Sequence, residues 1–215
     1  MIILSIDPGL VNMGVAIFDT LKNKFLFVDK VSLANRESDL KGEEELLYRC
    51  WKALFSDSRI QSYIKQIDVV LVEHQMKRRY VIVKYILITI SFMLKKEIHV
   101  LSPTIVKTMF GTSRGEYLAN KNAAIQMATF LWSGILNKVS KAKQDDVSDA
   151  MLQAYYWGIT HDSNLQLSPS AKEFIAEMKT QKPKRKTKTG KTTRKKRKQY
   201  PSKRPKNTKK RKITT

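Results

Sequence analysis

The chain has one cysteine, Cys50, in 215 residues. That excludes an internal disulfide framework and any zinc site built on cysteine. With only three histidines, a metal held here would have to take most of its ligands from oxygen. No apolar run approaches the roughly 20 residues of a membrane helix, because the most apolar stretch, residues 80–94, is shorter and carries Lys84. The opening MIILSIDPG has no basic leader and turns polar within six residues, so it resembles neither a secretory signal nor a transit peptide. These absences predict an intracellular protein with no membrane partner. Glycine is also scarce, at 8 residues, and none is spaced as the phosphate-cradling loops of actin-type and sugar-kinase phosphotransferases require.

Acidic residues are missing from one region altogether. Residues 182–215 hold 18 of the 41 Lys and Arg and not one Asp or Glu, leaving 23 basic against 19 acidic residues in the rest. The formal charge of +22 therefore belongs mainly to a tail, and it points to a polyanionic partner such as nucleic acid. The tail cannot bury enough apolar surface to offset its ordering entropy, so a disordered segment is predicted there. The same Lys/Arg runs suit either counterion-release binding to DNA or a nuclear address. Upstream, 42% hydrophobic content is ample for a core. The chain divides into a folded domain over 1–161, a short helical extension over 162–181 and the tail over 182–215.

Apolar runs at 2–6, 14–18 and 25–33, with Lys22-Asn23-Lys24 at a hairpin tip, predict three leading strands. A helix over 43–65 places Leu47, Cys50, Trp51 and Leu54 on one stripe, which makes Cys50 a core residue. Residues 68–72 (DVVLV) have the length and composition of a strand buried on both faces, and they end at Glu73. The helix expected over 80–94 is apolar all round. Such a helix is either central to the core or packed between its own sheet and a second subunit. A strand over 98–101 follows, then a helix capped by Ser102-Pro103 and ended by Gly111, and further helices over 118–136, 145–158 and 170–178. Three strands followed by alternating helices and strands give an α/β domain with a mixed sheet.

Asp7 and Glu73 each finish a strand, and in open α/β sheets sites collect at the carboxyl ends of strands. The Asp-Pro-Gly turn is common in itself, whereas an acid ending a buried strand needs a partner or a cation. In KQDDVSDA, a helix beginning near Asp145 sets Asp146 and Asp149 on one face while Val147, Ala150, Met151 and Ala154 turn to the core. Helix-dipole and capping effects explain Asp145 and one interpretation of Asp146, but not Asp149. Four carboxylate ligands suit Mg²⁺, with Mn²⁺ as a substitute, and such a cluster is the usual setting for two-metal phosphodiester hydrolysis.

The motifs SIDPGLVNMGVAIFD, LVEHQ, SPTIVKTMFG and KQDDVSDA, in this order over residues 1–160, resemble the RuvC-type Holliday-junction resolvases, most closely their poxvirus, iridovirus-like and fungal mitochondrial branch. The resemblance implies an RNase H-like fold, a mixed β-sheet flanked by helices. It also implies a homodimer, Mg²⁺ dependence, and paired symmetric nicks in four-way DNA junctions. By position, Asp7, Glu73, Asp146 and Asp149 match the catalytic, metal-binding acids, with Asp145 as a spare. Lys107 and Lys121 match basic residues that contact DNA. Met76 stands where bacterial members carry an aromatic wedge, so either Met76 or the basic HQMKRRY segment with Lys77, Arg78, Arg79 and Tyr80 would open the junction. His74 would orient a water or serve structure.

Two other classes fit parts of the sequence: a non-catalytic nucleic-acid packaging factor working through its tail, and an RNase H-fold nuclease acting on RNA. Fold alone does not separate them.

Overall fold

The computed structural model describes residues 1–55 and 57–181. The basic segment 182–215, for which a disordered tail is expected, lies outside the described residues. Five strands form one mixed sheet: β1 (Ile2–Asp7), β2 (Asn12–Asp19), β3 (Lys24–Ser32), β4 (Val69–Glu73) and β5 (Glu97–Leu101). They lie in the order β3-β2-β1-β4-β5. β1, β2 and β3 are antiparallel neighbours, while β4 and β5 run parallel to β1. The hairpin tip between β2 and β3 is as expected, with Asn23 at φ 46°, a left-handed conformation that asparagine tolerates.

Seven α-helices accompany the sheet among the described residues: α1 (Glu43–Phe55), α2 (Ser58–Ile64), α3 (Arg78–Met93), α4 (Pro103–Phe110), α5 (Tyr117–Leu136), α6 (Gln144–His161) and α7 (Pro169–Thr180). Alternation along the strands divides the core in two. Ile3, Ala16, Phe18, Val69 and Leu71 point to one face and pack with α4, α5, α6 and α7. Leu4, Ile6, Val15, Ile17, Val70 and Val72 point to the other and pack with α1, α2 and α3. By the same alternation, Asp7 follows Ile3 and Ser5, and Glu73 follows Val69 and Leu71. Both acids therefore emerge on the face covered by α6.

Two expectations need correcting. The single helix over 43–65 is two helices, because Asp57 caps a fresh start: its side chain accepts from the Arg59 amide. The buried stripe of α1 is Leu46, Cys50 and Leu54, while Leu47 and Trp51 are exposed. Trp51 instead packs on Phe55, with ring centroids 4.4 Å apart. Cys50 is fully buried, and burial pushes its thiol up to about 12, so it is inert packing.

The all-apolar helix is not central to the core. α3 turns Val83, Leu87 and Ile90 to the sheet and leaves Tyr85, Phe92 and Met93 exposed. At α4, Pro103 opens the helix and Gly111 ends it at φ 65°. Ser102 occupies the cap position without a side-chain capping bond. No helix among the described residues is long and apolar enough to cross a membrane.

Candidate active site

A cleft of about 520 Å³ opens at the carboxyl ends of β1 and β4, lined by Asp7, Glu73, Asp145, Asp146 and Asp149. Its position follows from the sheet. β1 and β4 are adjacent and parallel, with Ile6 beside Val72, so the next residue on each strand is an acid leaving the same edge. α6 supplies the remainder. Its Val147, Ala150, Met151 and Ala154 are wholly buried, as the spacing predicts, and this fixes the rotation that turns Asp146 and Asp149 to the cleft.

One glycine lets α6 come this close. Asp7 is paired with Gly14 on β2, and Gly14 with Lys30 on β3. A Cβ on Gly14 would stand 1.8 Å from the backbone oxygen of Asp146, so a side chain there is incompatible with the observed packing. Lys30, in the same cross-strand row, carries its ammonium to 3.4 Å from Asp146 Oδ2.

The acids are electrostatically strained. Burial raises Asp7 well above the carboxylate range, and the charges of Glu73, Asp149 and Asp146 raise it further against the opposing pull of Lys107. Burial and the charge of Asp149 lift Glu73 to about 7, opposed by Lys107 and by the hydrogen bond from Gln75. Asp149 is raised by burial, with Lys107 and Lys121 pulling it down. Asp146 is raised by burial and by Asp145, against Lys30 and Lys121. Asp145 behaves differently: burial acts upward, but the hydrogen bond and charge of Lys121, together with backbone hydrogen bonds, outweigh it and hold the carboxyl low. Its ion pair with Lys121 sets Asp145 apart from the other four acids.

The donor set fits a hard divalent cation, for which carboxylate oxygens are the preferred ligands and whose charge would relieve the mutual repulsion. Among the described residues, no three His, Cys, Asp or Glu side chains are drawn together tightly enough to hold an ion as they stand.

The remaining candidates divide. Lys107 and Lys121 line the cleft, as do His74, Met76, Lys77 and Tyr80. Arg78 and Arg79 do not. Arg79 is committed to Glu37 at 2.6 Å and to the Leu40 carbonyl, which ties the start of α3 to the segment before α1.

Residue-level reasoning missed three members of the site. Gln75 donates through Nε2 to Glu73 Oε1 at 3.0 Å and lies 3.5 Å from Asp7 Oδ1, so it spans the two strand-end acids. The LVEHQ motif contained it, but nothing in the spacing distinguished it from His74. Lys30 was invisible because it reaches the site across the sheet. Tyr117 lines the cleft at the first turn of α5.

The architecture has known counterparts. Thermus thermophilus RuvC in complex with Holliday junction substrate matches 75% of this chain and 96% of its own, at 17% identity and a TM-score of 0.52. A second Thermus thermophilus RuvC structure matches 74% and 96% at 15% identity, also at 0.52. The yeast mitochondrial Holliday junction resolvase Ydc2 matches 80% and 85% at 17% identity, again at 0.52. At these identities the likeness establishes the fold, an RNase H-like sheet of the RuvC type. No curated protein sequence matches the chain. A family model described as "Poxvirus A22 protein" matches residues 1–161, which contain every acid that lines the cleft, and the chain belongs to that family.

Proposed function

We propose that this protein is a Holliday-junction resolvase, a divalent-metal-dependent endonuclease that makes paired symmetric nicks in four-way DNA junctions. The observation that carries this reading is the meeting of Asp7, Glu73, Asp146 and Asp149, from three separate elements, in one cleft of a RuvC-type fold. The named relatives supply the substrate: one is bound to a Holliday junction and another is a mitochondrial junction resolvase.

Asp7, Glu73, Asp146 and Asp149 would hold Mg²⁺, or Mn²⁺ in its place. Bound ions supply the Lewis acidity that activates a water and stabilises the leaving 3′ oxygen. Gln75 orients the carboxylates of Asp7 and Glu73 by its shared amide. Lys107, whose charge acts on Asp7, Glu73 and Asp149, also offers a cation to the scissile phosphate. Lys121 is fixed by Asp145 and lines the same wall. Lys77 contributes a further cation at the rim, whereas Arg79 is engaged with Glu37 and Arg78 contacts a DNA arm only outside the cleft.

Symmetric nicking needs two such clefts, hence a homodimer. The exposed Tyr85, Phe92 and Met93 of α3 form the face for it, and sedimentation should give the mass of two chains. The segment 182–215 adds sequence-independent DNA affinity through counterion release, so its removal should flatten the salt dependence of binding and spare cleavage. A virus-encoded enzyme acting within a host cell fits the family.

The test is a substrate panel in Mg²⁺. A four-way junction should be cut at paired symmetric positions, leaving ligatable ends, while a duplex, a fork and a structured RNA are cut far more slowly. Preferential cutting of the RNA would favour the alternative activity, and binding of all four without cutting would favour a packaging role.

A further inference from the structure

Tyr117 is, with Met76, one of two large apolar or aromatic side chains of the cleft that stand mostly open to solvent. It is 71% exposed, as is Leu118 beside it, yet it lines the same cavity as the four acids. Single exposed apolar residues are ordinary, but an aromatic ring at the mouth of a polar, carboxylate-lined cleft contributes nothing to the core.

Its surroundings hold it in place. The Lys121 ammonium lies 5.0 Å from the ring centroid, a cation–π contact, and Lys121 is itself paired with Asp145. The preceding loop is anchored at several points. Gly111 packs on α7 so tightly that a Cβ would meet the Lys179 amide nitrogen at 3.0 Å. Arg114 donates to the Gln181 carbonyl at 3.2 Å and to Met178 Sδ at 3.4 Å, and its own amide donates to Asn120 Oδ1 at 2.5 Å. The ring is thus offered to solvent from a pinned scaffold, so little side-chain freedom is lost when something stacks on it.

We infer that Tyr117 is a stacking platform for an unpaired nucleobase next to the scissile phosphate. This rests on the resolvase reading of the cleft. A phosphate reaching Asp7 and Glu73 in the interior leaves its flanking base at the mouth, where Tyr117 stands. A base accepts an aromatic face whatever its identity, so the contact holds an opened strand without imposing a sequence. Lys121, beneath the ring, adds cationic character that favours the electron-rich face of a base. Tyr117 thereby binds the strand that pairing has released, while the acids act on its backbone.

The test uses the full chain in EDTA, with 2-aminopurine placed beside the crossover of a four-way junction and, separately, in a single strand. The wild type should quench the probe on both. Tyr117→Phe should retain the quenching. Tyr117→Leu should lose it and bind the junction about 5- to 150-fold more weakly, with an unchanged melting temperature. Lys121→Met should keep the quenching while weakening binding, which separates stacking from mere support of the lysine. Quenching of the single strand by Tyr117, without any preference for the junction, would remove the junction reading and leave the stacking role supported. Equal emission and affinity for the wild type and Tyr117→Leu on both probes would overturn the inference.

Discussion

The backbone carbonyl of Asp146 occupies the space that a side chain on Gly14 would fill, with a Cβ there standing 1.8 Å from its oxygen. Gly14 is also the cross-strand partner of Asp7. One missing side chain thus lets two elements far apart in sequence bring their carboxylates into a single cleft.

Gly14→Ala should therefore push the start of α6 off the sheet. A destabilisation of about 1–3 kcal/mol is expected, the usual cost of overpacking, together with loss of most cleavage activity. Thermal unfolding and junction cleavage measure the two effects. A variant as stable and as active as the wild type would show that α6 does not need this approach.

Lys30 completes that row of the sheet, paired across from Gly14 with its ammonium 3.4 Å from Asp146 Oδ2. Before metal binds, this cation offsets part of the carboxylate charge, and a divalent ion has to compete with it. Lys30→Met should tighten apparent Mn²⁺ affinity in titration calorimetry by roughly two- to fivefold, the scale of a partly exposed ion pair. Weaker binding would mean instead that Lys30 holds Asp146 in a productive position.

The raised carboxylates make stability depend on pH in a definite direction. Glu73 moves from its ordinary 4.5 to about 7 on folding, so the folded state holds a proton that the unfolded state has lost. Its contribution to stability is present below about 4.5 and is lost as pH rises through 7. Asp7, also raised, acts in the same sense. Divalent cations bind the ionised forms, so the rise in melting temperature on adding Mg²⁺ should be larger at pH 8 than at pH 5.5. An equal rise at both values would place the cation elsewhere.

Much of this was legible in the sequence because period-2 alternation leaves little choice. Once residues 2–6 and 69–72 are buried strands, Asp7 and Glu73 must leave the sheet at its carboxyl edge. The spacing of Val147, Ala150, Met151 and Ala154 likewise fixes Asp146 and Asp149 on the opposite side of their helix. Long-range placement was not legible. Lys30 reaches Asp146 across a strand, Gln75 joins two acids from different strands, and Arg79 turns to Glu37; no local period encodes any of these. α1 buries Cys50 and Leu54 as its spacing predicts, but Leu46 in place of Leu47, and leaves Trp51 exposed, because only packing tells these neighbours apart. The Asp57 cap that splits the helix over 43–65 sits inside an otherwise helical pattern, which hides it.

The central claim is that these carboxylates hold the metal that cuts the junction, and Asp149 tests it best, since neither capping nor a turn explains it. The decisive measurement is cleavage of an end-labelled four-way junction in Mg²⁺ by Asp149→Asn, with junction binding followed in parallel. Binding within about twofold of the wild type is predicted, with the rate of paired nicking lower by about a thousandfold, the several kcal/mol of metal-assisted transition-state stabilisation. Symmetric cleavage at the wild-type rate would contradict the assignment.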